Sequence, residues 1–467
     1  MEEPTHHHLR LILFPSPLQG HINPMLQLAH ILHSNSFSIT ILHTKLNSPD
    51  PSHHPHFTFL SLDDGLSQTE SSMEEDIIEL TRLINVKCVD PLRACLRKLL
   101  DDQQVSGTGE RIACLISDAA LYATREVAES VKLRRIVLRT GGVSSFVIFK
   151  EIPMLLEKGY LPIQESRLDE PIPEIEGFRV RDLPAMKTAS VERYYQLLTS
   201  MVEETKASSG LIWNSFEELE HSALDTLCQE FSLPIFLIGP FQKYSAASSD
   251  GVRTPDQSSI AWLDKQEPKS VIYVSFGSVA AIDANQFLEI ATGLADSNHP
   301  FLWVVRPDLV RGLDSECHEL LPDGYIEMLG GRGHIVKWAP QQEVLKHPAV
   351  GAFWTHNGWN STLESICGGV PMICMPFFSD QVINARYVSH IWKIGVQLEG
   401  RVEREKIVEI IKRLMTGNEG EEIRKTMCQF KEKVQVCTSA GGSSHNALQN
   451  FISFIASSSP LDLERIT

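Results

Sequence analysis

Twice along this chain, short apolar runs alternate with amphipathic helical stretches, and one polar break separates the two series. The first series contains "LRLILF" (9–14), "FSITILH" (37–43), "ACLISD" (113–118), "RIVLRT" (135–140), "GLIWNSF" (210–216) and "PIFLIGP" (234–240). Runs that are apolar almost throughout mark strands buried on both faces, and parallel strands need a crossover helix between them. The helix after the first run puts Met25, Leu28, Ala29 and Leu32 on one face, and Pro24 is expected to start it. After the Ser-rich stretch 241–259 the rhythm restarts with "SVIYVSF" (270–276) and a helix over 283–296. "PFLWVV", "GHIVKW", "GAFW" and "GVPMICM" follow. The pattern predicts an α/β chain of two doubly wound domains, residues 1–240 and 260–440, facing across a cleft. A closing helix, about 441–458, is expected to pack back onto the first, and the proline-rich stretch 160–184 to run over its surface. In such sheets ligands sit at the carboxyl ends of strands, where the strand order reverses.

Composition removes several function classes. A formal charge of −17 repels nucleic acid and anionic lipid. Nine cysteines without a CxxC pair match neither a zinc site nor a disulfide framework, which points to reduced thiols and a cytoplasmic setting. "LRLILFP" is short for a signal-peptide core, and no run approaches the roughly 18–20 apolar residues of a membrane span. "THHH" (5–8) reads as a solvated tail. There is no GxxxxGK[ST], while "GTGERI" (107–112) lacks the third glycine of a dinucleotide loop and "GGRGHIV" (330–336) precedes its strand.

Chemistry concentrates in residues 338–381, "WAPQQEVLKHPAVGAFWTHNGWNSTLESICGGVPMICMPFFSDQ". Trp338 offers a flat face on which a base can stack. "FWTHNGWNSTLES" reads as strand, turn and helix. Backbone N–H groups near Asn360 and Ser361, aided by the helix dipole and His356, suit a diphosphate. Ser278, after "SVIYVSF", can reach the same anion. Asp380 and Gln381 pair an acceptor with a bifunctional amide, a combination suited to vicinal sugar hydroxyls. Together these describe a nucleotide-sugar site. Ser361 and Glu364 also fit a capping box, and Trp359 fits plain core packing.

This 44-residue segment resembles, end to end, the signature box of plant family 1 UDP-dependent glycosyltransferases, and the similarity extends to "GHINP" (20–24). The pattern is most like the group that includes stevia diterpene-glycoside and cytokinin glucosyltransferases. The resemblance implies a GT-B fold, with acceptor bound by the N-terminal domain and UDP-sugar by the C-terminal one, and no metal or other cofactor. Trp338 would stack on uracil and Ala339 read its edge, with Gln341 and Glu364 on the ribose. His356, Asn360, Ser361 and Ser278 would hold the diphosphate; Trp359, Asp380 and Gln381 the sugar. A glutamine at the last position accompanies glucose.

His21 then resembles the catalytic base and Asp118 its partner. An imidazole with a reference pKa of about 6.5 can take a proton at neutral pH, and a carboxylate on its other nitrogen fixes the tautomer. Taken alone, Asp118 would cap a helix beginning near Ala119. Thr140 would contact the donor, but Gly141 and Gly142 follow it where the family often carries hydroxyls, so backbone N–H groups or Ser144 would have to substitute. The expected activity is inverting, UDP-glucose-dependent O-glucosylation of a small lipophilic plant metabolite (terpenoid, flavonoid, other phenolic, or a glycoside of one) by a monomer. N-glucosylation of a cytokinin-like acceptor, a GT-B-like epimerase and a non-catalytic UDP-sugar-binding protein are the alternatives.

Overall fold

The computed structural model describes residues 8–66, 77–106, 110–186, 188, 190–244, 256–312 and 317–457. His6 and His7, the first half of "GTGERI" and most of the expected linker, 245–255, lie outside them. The chain divides into two compact units. One comprises Met1–Pro162, Lys187–Val252 and Cys437–Thr467, the other Ile163–Met186 and Arg253–Val436.

The first unit carries seven parallel strands: β1 (Leu9–Phe14), β2 (Ser38–His43), β3 (Thr58–Ser61), β4 (Arg111–Asp118), β5 (Arg135–Arg139), β6 (Leu211–Trp213) and β7 (Ile235–Leu237). Their order is β3-β2-β1-β4-β5-β6-β7, so the winding reverses between β1 and β4. β1, β4 and β5 are buried almost throughout, as sheets covered by helices on both faces require. The closing helix Ser443–Ala456 lays Leu448, Phe451, Ile452 and Ile455 into this unit's core. Each such side chain contributes about 1.5–3 kcal/mol of gross burial energy. Phe451 meets Phe236, and the Arg134 guanidinium lies 3.6 Å over the Phe454 ring.

The second unit carries six parallel strands: β8 (Val271–Ser275), β9 (Phe301–Val304), β10 (Gly333–Val336), β11 (Val350–Thr355), β12 (Met372–Cys374) and β13 (Gly395–Gln397). The order β10-β9-β8-β11-β12-β13 reverses between β8 and β11, whose ends align at Ser275 and Thr355.

Three expectations are corrected. The helix after β1 begins at Gln19, five residues before Pro24, which lies inside it. Pro24 is thus past the first turn, where proline forgoes the bond to the Gly20 carbonyl and its ring crowds that carbonyl. The stretch 160–184 does not group with the first unit as expected; from Ile163 onward it belongs to the second. Its ties to the rest of that unit are long-range: Arg179 pairs with Glu399, and Arg386 donates to the Gly177 carbonyl. No helix begins near Ala119, where residues 119–123 form turns ahead of the helix Thr124–Ser130.

Candidate active site

In the first unit, the sequence-predicted residues meet at the reversal point. Gln19–Ser34 starts soon after β1, which places His21 in its first turn, while Asp118 is the last residue of the adjacent β4. The His21 Nδ1–H donates to Asp118 Oδ2 at 2.8 Å, and Thr140 Oγ1 lies 3.1 Å from the same nitrogen. The His21 side chain is 27% exposed and that of Asp118 fully buried. A bare carboxylate in that position would cost several kcal/mol. Its second oxygen accepts the Ala120 N–H at 2.8 Å, which closes the turn and fixes the carboxylate plane. A proton held on Nδ1 leaves the basic lone pair on Nε2, the arrangement a general base requires.

Behind Thr140, two backbone donors are already engaged. The N–H groups of Val143 and Ser144 both donate to the Glu220 carboxylate, at 3.0 and 2.8 Å. Glu220 is buried, which pushes its acidity down, and it also accepts from Ser215. Ser144 itself is 2% exposed and engaged with Glu220. Glu220 carries no local sequence signal, lying 76 residues from the group it caps.

In the second unit, "FWTHNGWNSTLES" is a strand, a tight turn with Asn357 at φ +61°, and a helix from Trp359 to Gly368. Gly358 is the N-cap and no side chain caps the helix, so Ser361 and Glu364 do not form a capping box. His356 Nδ1 is buried without a hydrogen-bond partner. An uncapped helix start beside an orphaned ring nitrogen is a cradle with the chemistry to hold a diphosphate. Burial, and secondarily the nearby Arg306 cation, push His356 down to about 4, so it is neutral at physiological pH. The ring packs so closely on Gly277 and Gly358 that a Cβ at either would lie 2.5–2.6 Å from Nε2. Neither position has room for a side chain, and Gly277, at φ +70°, sits beside Ser278. Arg306, 2% exposed, holds the same loop by donating to the carbonyls of Gly277 and Ala280, with Asp308 as its counter-ion.

The residues expected at the ribose are tied to one another. Gln341 Nε2 donates to Glu364 Oε2 at 2.7 Å and to Ser361 Oγ at 3.0 Å, while Gln342 Nε2 donates to Glu364 Oε1 at 3.1 Å. Tyr273 on β8 orients the cluster from below, its hydroxyl donating to Gln341 Oε1 at 3.1 Å. Trp338 and Ala339 lie just past the end of β10, leading into the helix Gln341–Lys346; Trp338 is half-buried and Ala339 buried. Trp359 is 3% exposed and its ring packs against Trp392.

Asp380 and Gln381 open the helix Asp380–Arg386. Gln381 Oε1 accepts the Phe377 N–H at 3.0 Å, which leaves its NH₂ as the working end. The preceding Ser379 is held at φ +56°, ψ −129°, and its N–H donates to the Ala185 carbonyl at 2.8 Å. A serine there is strained by about 1–3 kcal/mol. Sequence reasoning missed Ser379, Arg306, Tyr273 and Glu220, none of which announces itself by local pattern.

Residues 67–427 match the family model described as UDP-glucoronosyl and UDP-glucosyl transferase. The chain is 50% identical over 447 residues to UDP-glycosyltransferase 76B1 of Arabidopsis thaliana, covering 96% of this chain and 98% of the relative. It is 46% identical over 466 residues to UDP-glycosyltransferase 76G1 of Stevia rebaudiana, covering 96% and 97%. Among solved structures it resembles Phytolacca americana UGT2 complexed with UDP-2fluoro-glucose and pterostilbene, at 28% identity, TM-score 0.79 and coverage of 96% and 99%. Parallel sheets wound in two units, a histidine–carboxylate pair in one and an uncapped helix turn in the other agree with that kinship: the chain belongs to the plant family 1 UDP-glycosyltransferases, enzymes of GT-B fold.

Proposed function

We propose that this enzyme is an inverting, UDP-glucose-dependent O-glucosyltransferase of a small lipophilic plant metabolite, with His21 as general base and Asp118 as its orienting partner. The observation that carries the reading is the 2.8 Å pair of a partly exposed imidazole and a fully buried carboxylate at the strand-order reversal. His21 Nε2 takes the acceptor hydroxyl proton as the oxygen attacks the anomeric carbon. The bond from that carbon to the diphosphate oxygen breaks with its electron pair, UDP departs, and the configuration inverts. Base assistance of this kind contributes about 10²–10⁴ in rate.

The uncapped helix start and the neutral His356 hydrogen-bond donor suit the leaving diphosphate, so the reaction as proposed needs no metal ion. Glucose as the donor sugar is supported by Gln381, whose amide presents donors, beside the Asp380 acceptor, and by the donor analogue bound in the Phytolacca structure. That structure also holds pterostilbene, consistent with a small organic acceptor. Among the described residues no helix is long and apolar enough to cross a membrane. The test is incubation of the purified protein with UDP-glucose and a panel of terpenoid, flavonoid, phenolic and cytokinin acceptors. A hexose adduct by mass spectrometry, with β configuration by NMR, is expected. Transfer only to nitrogen, acceptor-independent epimerisation, or binding without turnover would each replace the reading with a different one.

A further inference from the structure

Asp380 and the turn that holds His356 come from different strands, β12 and β11, yet one buried side chain bonds to both. Asn384, 2% exposed, donates from Nδ2 to the Asn357 carbonyl at 2.9 Å and to Asp380 Oδ2 at 3.1 Å. Asn357 is the left-handed residue of the "THNGW" turn, between His356 and the uncapped helix start. The two hydrogens of one NH₂ group thus fix the separation between an acceptor carboxylate and an anion cradle. We infer that Asn384 is a positioning residue that sets the sugar-binding carboxylate relative to the diphosphate turn, and so tunes recognition of the donor's hexose more than that of its nucleotide.

This inference rests on the donor-site reading above, and binding measurements separate the two. An amide NH₂ is the right group for the task. It must donate twice, to a neutral carbonyl and to a carboxylate, and a hydroxyl or carboxylate at that position cannot do so. Loss of a hydrogen bond to a charged group shifts an equilibrium by about tenfold or more. Removing it takes one restraint from Asp380 and one from the Asn357 carbonyl, without touching the base or ribose contacts.

The experiment is calorimetric titration of the full-length wild type, Asn384→Ser and Asn384→Asp with UDP and with UDP-glucose, alongside donor kinetics with UDP-glucose and UDP-galactose. Both variants are expected to lose about tenfold more affinity for UDP-glucose than for UDP, with KM for UDP-glucose rising and the preference over UDP-galactose shrinking. UDP and UDP-glucose affinities that fall in parallel would overturn the inference, since that is the signature of a merely structural residue. Unchanged UDP-glucose affinity would overturn it equally. A wild type that binds neither nucleotide would remove the donor-site reading and this inference with it, whereas a wild type that binds UDP-glucose but transfers nothing would defeat the catalytic proposal alone.

Discussion

Both units wind a parallel sheet outward from a central reversal, and both place a histidine at that point, but the two imidazoles have opposite surroundings. His21 is partly exposed, and its Nδ1 is bonded to a fully buried carboxylate that stabilises the ring when it gains a proton. His356 has an orphaned Nδ1, two glycines against its far edge and an arginine nearby, and burial holds it down to about 4. The first ring is placed to collect a proton in the reaction proposed above; the second stays neutral at physiological pH and offers a hydrogen bond. A histidine at a switch point is therefore not informative by itself. Its neighbours decide whether it acts as a base or as an anion contact.

The comparison can be broken from either side. The largest effect is expected at Asp118→Asn, which keeps the shape but favours the wrong tautomer; transfer should fall by about 10²–10⁴ while UDP affinity is unchanged. Steady-state kinetics and UDP titration read the two halves separately. An intermediate effect is expected at His356→Asn, which should weaken UDP binding by about tenfold, as for loss of a hydrogen bond to a charged group.

His356 also makes a pH prediction. The folded ring stays neutral down to about 4, whereas the unfolded ring protonates near its ordinary 6.5. The unfolded chain therefore binds the extra proton within that window. The stability associated with neutral His356 is complete above about pH 6.5 and is lost as pH falls towards 4. Thermal unfolding between pH 4.5 and 7.5 should show a shallower acid slope in His356→Asn than in the wild type. An identical slope would mean that the ring is not desolvated as described. The smallest effect is expected at Ser379→Gly, which relieves the φ +56° strain and should stabilise the protein by about 0.5–1 kcal/mol net of glycine's entropy cost. A loss of stability there would show that serine is not strained.

Most of the fold was legible because strands buried on both faces leave continuous apolar runs. The strands that went unread, β3 and β13, are edge strands; one is half-exposed and the other only three residues long. The 163–186 segment was misplaced because its partners are remote: Arg179 reaches Glu399 across 220 residues. In the site, the groups expected to touch a ligand were legible from contiguous motif residues. Those that hold them were not. Glu220 behind Thr140, Tyr273 beneath Gln341, Arg306 beside Gly277 and Asn384 between Asn357 and Asp380 are buried polar contacts made through space. Burial demands a partner for such a group but does not dictate where in the sequence the partner lies.

The central claim is that the first unit supplies the base and the second holds the nucleotide. Its most direct test is single-turnover transfer from UDP-glucose by His21→Ala at saturating acceptor, with UDP affinity measured on the same preparation. The account predicts transfer lowered by about 10²–10⁴ and UDP affinity within about twofold of the wild type. Transfer near the wild-type rate, or UDP binding lost in step with transfer, would contradict it.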